Sequence, residues 1–352
     1  MYDFIEYNPD IDQMYTNSSI YSETLQLAAH NSYASIEDGF LYHPQQHLDM
    51  KHQFKYGARV FLVDVYDNNL NNDTVLLHNK DLEFLTGISS SLTKIFYFKD
   101  YLEDVHYLLE KYNQSVITLI IQNEVEPYTI KNDLETTGLT PYLLATNPNS
   151  QNVTFGNMRE LNQRLVVFLE KGEAIGNMYS ADSYKETVVG LEQDRECHDR
   201  GDERAPFDNP DVRVFLMNHF FGKSCDAGEG RSLKSFDQED CSEVNDYNKI
   251  MERFTLCKIK GNKPTFIALD FIEHGDNGGA LRVLQDVNNF TNNGFFTDYS
   301  AAYGHHYIDL YTLIVFALGA VVGVGAVAIY NHCKPRDVLL SRSFQKSDHG
   351  GV

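Results

Sequence analysis

Positive charge is scarce in this chain. Its 352 residues include 29 Lys and Arg against 50 Asp and Glu, a formal charge of −21. A field of that sign repels phosphate backbones and anionic surfaces at long range, which argues against a nucleic-acid partner. No Gly-x-Gly-x-x-Gly follows the first predicted strand, so the usual dinucleotide-binding turn is absent. No Cys-x-x-Cys or paired His-Cys spacing marks a zinc site. The opening stretch MYDFIEYNPDIDQMY is acidic and lacks the basic and apolar regions of a signal peptide. There is no internal repeat and no low-complexity tract.

Long apolar runs are also rare, with one exception. Residues 310–330, LYTLIVFALGAVVGVGAVAIY, carry no charge over a length that crosses a hydrocarbon core as one helix. Lys334 and Arg336 follow it, and Asp298 and Asp309 precede it, so the positive-inside rule puts the tail, 331–352, in the cytosol. Four of the five cysteines, Cys197, Cys225, Cys241 and Cys257, precede the span. They suit two disulfides, with three pairings open. Five sequons, at Asn17, Asn72, Asn113, Asn152 and Asn289, fit the same face. The expectation is a single-pass membrane protein with its large N-terminal part extracellular or lumenal. The alternative, a tail-anchored protein facing the cytosol, follows from the missing signal pattern. A glycosidase-induced mobility shift in a eukaryotic host supports the first; an unglycosylated protein with every thiol alkylated contradicts it.

Between residues 22 and 300 short apolar runs recur. Those at 25–30, 59–65, 74–78, 116–122, 164–170, 212–218 and 265–270 are rich in Val, Ile, Leu and Phe on both faces, as parallel strands covered on both sides are. Helical spacing of Leu102, Val105, Leu108, Leu109 and Tyr112 predicts a helix over 99–112, with shorter ones at 158–163 and 279–287. Alternating strands and helices predict an α/β fold, a distorted TIM-type (β/α) barrel over 22–300. A doubly wound open sheet is the alternative. Residues 1–21 read as an irregular lead-in. Two long polar insertions, 171–210 and 222–262, hold the four cysteines that precede the span.

The chemistry gathers at the ends of those runs. LQLAAHNSY ends its apolar part at His30 and Asn31, GARVFLVDVYD carries Asp64, and TVLLHN carries His78. Gln122 and Glu124 follow the next run, and Asp270 ends the last. A parallel barrel builds its active site at that end. Two imidazoles and a carboxylate there suit acid–base work on a phosphodiester near neutral pH. Arg59 faces away from Asp64 by strand parity and suits a strand–helix ion pair.

AAHNSYA and GARVFLVDVYD followed by VLLHN, with SVITLIIQNEV, RLVVFLEKGE, VRVFLMNHFF and TFIALDFIEHGDNGGA further on, resemble the X-domain of phosphatidylinositol-specific phospholipase C, in its single-domain, plant-type and bacterial-like branch, over about residues 22–295. The resemblance implies a phosphoric diester hydrolase acting on an inositol phospholipid or glycolipid headgroup. It implies His30 as general base, His78 as general acid, Asp270 as the carboxylate orienting His30, and a cyclic inositol phosphate product. Calcium-dependent relatives surround the phosphate with an Asn, two Glu and an Asp. Asn31 and Asp64 match two of these, whereas Leu62 and Gln122 occupy the Glu positions. Metal-independent bacterial relatives carry an arginine where Asp64 stands. The residues therefore fix no cofactor: Ca²⁺ would rest on Asn31, Asp64, Gln122 and Glu124 with two usual carboxylates missing. Lys171 is the candidate for the substrate phosphate. The rival function is a catalytically inactive barrel that binds at the cell surface.

Overall fold

The computed structural model describes residues 5–40, 44–68, 73–77, 95–191, 193–221, 241 and 243–290. Eight parallel strands follow chain order around an open barrel: β1 (Gln26–Ala29), β2 (Val60–Asp67), β5 (Ile117–Asn123), β6 (Leu165–Leu169), β7 (Met178–Tyr179), β8 (Lys185–Glu186), β9 (Phe215–Asn218) and β10 (Phe266–Leu269). β1 pairs with both β2 and β10, so first and last strands meet. The ladder path ends at β7 on one side and β8 on the other. The sequential strand order excludes the doubly wound alternative, whose order reverses at a switch point.

The run predicted at 74–78 departs from the expectation of a parallel barrel strand. It forms β3 (Thr74–Leu76), antiparallel to β2, and β4 (Phe96–Tyr97) pairs antiparallel with β3. Its composition is that of a barrel strand, but it folds back as a hairpin arm beside the ring. The insertion 171–210 is not all loop: it supplies β7 and β8. The lead-in 1–21 contains helix α1 (Asp10–Met14).

Register shows which face is which. Ala28, Val60, Thr118, Val166, Ala268 and Asn218 are matched across neighbouring parallel strands and therefore share one face. Arg59, of opposite parity, reaches Asp12 of α1 at 3.0 Å and stacks 4.0 Å over Phe54 of α2 (Met50–Tyr56). The Arg59 face is thus the helical one, and the matched layer faces the barrel interior. Tyr21 donates or accepts a 2.7 Å hydrogen bond with Thr118 and meets the Phe266 ring edge-on, filling the interior below that layer.

The Arg59–Asp12 pair bears out the expected strand–helix ion pair. Burial works to raise the Asp12 carboxyl, but Arg59, Ser115 and Tyr7 hold it below its ordinary value. The remaining α-helices among the described residues are α3 (Phe98–Lys111), α4 (Pro127–Thr136), α5 (Phe155–Glu160), α6 (Tyr247–Ile259) and α7 (Gly279–Val287). In α3 four residues of the predicted face, Leu102, Val105, Leu108 and Leu109, are buried, and the fifth, Tyr112, follows the helix as its half-buried C-cap. Helix α6 lies in a stretch read as polar insertion; Ile250, Arg253, Phe254 and Cys257 form its buried side.

Cys257 of α6 is disulfide-bonded to Cys197, closing a separation of 60 residues. This is one of the open pairings; Cys225 lies outside the described residues. No helix among the described residues is long and apolar enough to cross a membrane, and the apolar run 310–330 lies outside them.

The break between β7 and β8 is bridged by side chains. Glu170 follows β6 and Glu186 ends β8; both have interior parity. Arg200 donates to Glu186 at 2.8 Å and to Glu170 at 3.0 Å. Arg204, buried, donates to Glu186 at 2.8 Å and also to Glu170. Asn218 of β9 adds a 2.8 Å bond to Glu186. Burial alone opposes the Arg204 charge, and Tyr184, Glu186 and Glu170 more than restore it. Two guanidiniums thus join the strands where no backbone ladder does.

A second charged cluster caps α2. Asp49 accepts from His52 N at 2.7 Å, and His52 Nδ1 lies 3.3 Å from Asp49 and 2.9 Å from Glu37. The hydrogen bonds to Asp49 and then Glu37 raise the His52 imidazole from 6.5 to about 9. A raised folded-state value contributes stability that is complete below the unfolded value and lost as pH rises through the folded one. Stability is therefore expected to fall between pH 6.5 and about 9, by on the order of 2–3 kcal/mol from this group. Denaturant titrations across that window check it: His52→Gln should flatten the decline, and an equal decline in the variant rejects the assignment.

Candidate active site

The C-terminal ends of the strands bring interior-facing polar groups around one mouth: His30 after β1, Asp64 in β2, Gln122 in β5, Glu170 after β6, Glu186 in β8, Asn218 in β9 and Asp270 after β10. The strand-end pattern legible in the sequence is therefore a spatial ring.

His30 and Asp270, 240 residues apart, meet at its centre of chemistry. His30 Nδ1 is 2.8 Å from Asp270 Oδ1. With the carboxylate accepting, the proton sits on Nδ1 and the lone pair on Nε2, the tautomer a general base needs. The imidazole stacks on Phe220 at 3.7 Å between centroids and 9° between planes. Its side chain retains 16% exposure, against 7% for Asp270.

The backbone beneath the pair is fixed from several sides. Gln46, fully buried, donates to the carbonyls of His30 at 2.8 Å and Leu269 at 3.0 Å. Asn245 donates to the carbonyls of Asp270 at 2.8 Å and Phe271 at 3.1 Å. Phe271 has φ +47°, a strained value for an aromatic residue. Gly275 has φ +147°, and a Cβ there would overlap the Asn245 carbonyl oxygen. Asn31, buried, takes φ +41°, a conformation that Asn tolerates.

Asp64 and Gln122 are register partners on β2 and β5, so these two expected metal positions do share a face. Asp64 accepts from the Tyr33 hydroxyl at 3.3 Å, and burial followed by the Asp64 charge pushes that phenol well up. Tyr66 is raised to about 12, by burial and then by Asp64, Glu124 and Glu170. This sector is acidic. Glu124 and Lys171 meet at 2.6 Å, so the lysine considered for phosphate spends its charge on the carboxylate considered for metal.

The described residues do not fit a calcium site. Ca²⁺ takes six to eight oxygens and gains affinity with carboxylate count. Here Leu62 shares the face without an oxygen, Gln122 is neutral and Glu124 is engaged by Lys171 at 2.6 Å. His78, the expected general acid, lies outside the described residues.

Sequence reasoning missed several members. Glu170 and Asn218 obey the same strand-end parity as Asp270 and were findable by it. Tyr33 and Phe220 lie inside the motifs AAHNSYA and VRVFLMNHFF. Arg200 and Arg204 come from a loop and carry no periodic signal.

The match to the family model PI-PLC X 1 spans residues 17–285. The chain belongs to the PI-PLC X domain family. A PI-PLC X domain-containing protein of Arabidopsis thaliana is 25% identical over 250 residues, covering 67% of this chain and 53% of that protein. The chain thus spans about half the length of the curated relative it matches. Among solved structures, the phosphatidylinositol-specific phospholipase C of Staphylococcus aureus superposes with a TM-score of 0.50 at 12% identity, covering 80% of this chain and 97% of that one. The enzyme of Listeria monocytogenes gives 0.45 at 10% identity, covering 80% and 99%. At these identities the structural likeness concerns the fold alone.

Proposed function

We propose that this barrel is a phosphoric diester hydrolase of the phospholipase C type, acting on an inositol phospholipid or glycolipid headgroup. The observation that carries it is the His30–Asp270 contact at the mouth of a barrel of this family. His30 Nε2 takes the proton from the inositol hydroxyl next to the phosphate, and that oxygen attacks phosphorus. The bond from phosphorus to the diacylglycerol oxygen breaks, and the departing oxygen takes a proton. By family resemblance His78 gives that proton. The product is a cyclic phosphodiester of the headgroup. Asp270 holds the tautomer and stabilises the imidazolium as it forms.

A different observation favours a second reading, a headgroup-binding barrel without turnover. Stabilising the phosphate's charge usually contributes more to such catalysis than any other single effect. The two interior guanidiniums, Arg200 and Arg204, are shared among Glu170, Glu186 and Asp202. Purified protein incubated with phosphatidylinositol vesicles, with and without Ca²⁺, separates the two. Hydrolysis that is unaffected by chelation is expected. Saturable vesicle binding with no release of inositol phosphate under either condition establishes the second reading.

A further inference from the structure

Behind the His30–Asp270 pair lies a buried cluster that the proposed reaction does not use. His47 Nδ1 is 2.7 Å from Glu273 Oε1 and 2.8 Å from His274 Nε2, and His274 Nε2 is 3.5 Å from Glu273 Oε1. All three side chains are nearly inaccessible, at 10% exposure for His47, 6% for His274 and 0% for Glu273. The three ligand atoms lie within 4.8 Å of one another.

Hydrogen bonding does not account for this triangle. His47 Nδ1 carries either one proton or one lone pair. The three distances set its two contacts about 80° apart, so one N–H cannot point at both, and a hydrogen bond weakens steeply below about 120°. As an acceptor, Nδ1 has a single lone pair for two neighbours. One short contact is therefore always left without a hydrogen bond between its partners. The second oxygen, Glu273 Oε2, is buried and has no hydrogen-bond partner among the described residues. A buried carboxylate oxygen in that state costs free energy unless something positive serves it.

A Lewis acid resolves both problems. We propose that His47, Glu273 and His274 form a site for a borderline divalent transition-metal ion of the zinc class. Two imidazole nitrogens and one carboxylate oxygen are a zinc donor set, with a fourth position for water. Three ligands at about 2.0–2.1 Å in tetrahedral array stand roughly 3.3 Å apart. To reach that, the 2.7 and 2.8 Å separations need to open by about half an ångström, and the 3.5 Å separation to close by about 0.2 Å.

The site would brace the loop that presents the reaction's carboxylate. His47 follows Gln46, which holds the His30 carbonyl and accepts from Ile272 N at 3.2 Å. Phe271 N donates to Gln45 O at 2.8 Å. Glu273 and His274 lie three and four residues beyond Asp270. Metal at this point cross-links residues 45–47 to 271–274.

The test uses the full chain, stripped of metal and titrated with Zn²⁺ and with Co²⁺. One saturable equivalent is expected, with a rise in Tm and, for Co²⁺, the intense visible absorption of a tetrahedral site. His274→Gln and Glu273→Gln should each weaken binding more than about 100-fold, beyond the range of outer-shell changes, while keeping the far-ultraviolet dichroism of the native fold. His52→Gln, in the separate Glu37–Asp49–His52 cluster, should leave binding unchanged. Absence of saturable binding in the stripped protein overturns the proposal. So does binding that persists in His274→Gln, or that is lost in His52→Gln instead. If one of the two ligand variants unfolds, the other decides.

Discussion

Replacing His30 by alanine is expected to lower phosphodiesterase turnover by about 10²–10⁴-fold, the usual worth of a positioned general base. The side chain lies at the mouth, so its truncation removes a stacking contact with Phe220 but opens no large core cavity. The fold should survive, with native dichroism and a Tm within a few degrees of the parent. Asp270→Asn should cause a smaller loss, carried by kcat with KM held. The amide keeps the shape but removes the charge that steadies the imidazolium. Steady-state kinetics on phosphatidylinositol vesicles check both. An active His30→Ala protein removes the base from the proposed mechanism. A rise in KM with kcat unchanged in Asp270→Asn shows that Asp270 serves binding instead.

The largest expected stability effect lies elsewhere, at the break in the ring. Arg204→Leu leaves Glu170 and Glu186 buried with Arg200 as the remaining guanidinium. Losing one partner of a buried charge network costs about 3–5 kcal/mol, because the remaining charges stay desolvated. At about 2–4 °C per kcal/mol for a domain of this size class, Tm should fall by roughly 10 °C. The exposed pair Arg213–Glu23 serves as the control, with Arg213→Leu costing under about 1 kcal/mol. Equal losses in the two variants would show that the β6–β8 bridge does not hold the barrel together.

These two effects divide along the line between what the residues announce and what only folding brings together. Six barrel strands are legible because burial on both faces makes them read as apolar runs; β1, β6, β9 and β10 fall within such runs, and β2 and β5 overlap theirs and extend one or two residues beyond. β7 and β8 have two residues each, too few for any period to register. β3 misleads for the opposite reason: TVL has barrel composition, and only its pairing shows that it is a hairpin arm. His30 and Asp270 are legible as strand ends, because parity and direction alone place both at one mouth. Arg200 and Arg204 are not, because a loop residue's position depends on contacts that no local pattern encodes. The metal triangle is intermediate. Glu273 and His274 are adjacent in the sequence, but His47 joins them only through the turn after Asp270.

The arrangement also explains why the acid–base half of the site and its phosphate-neutralising half are unequal. Interior positions on β2 and β5 hold Leu62, Asp64 and Gln122, and among the described residues Lys171, Arg200 and Arg204 are paired with carboxylates. The proton chemistry at His30 is built; the charge chemistry is lean. In the proposed reaction the attacking hydroxyl is already held next to phosphorus, so proximity contributes to the rate.

Phosphorus NMR of the first product tests this most directly. Purified protein mixed with phosphatidylinositol should produce a five-membered cyclic phosphodiester before any acyclic phosphate, with and without chelator. An acyclic phosphomonoester formed from the outset, or a reaction that stops when Ca²⁺ is removed, would contradict the account.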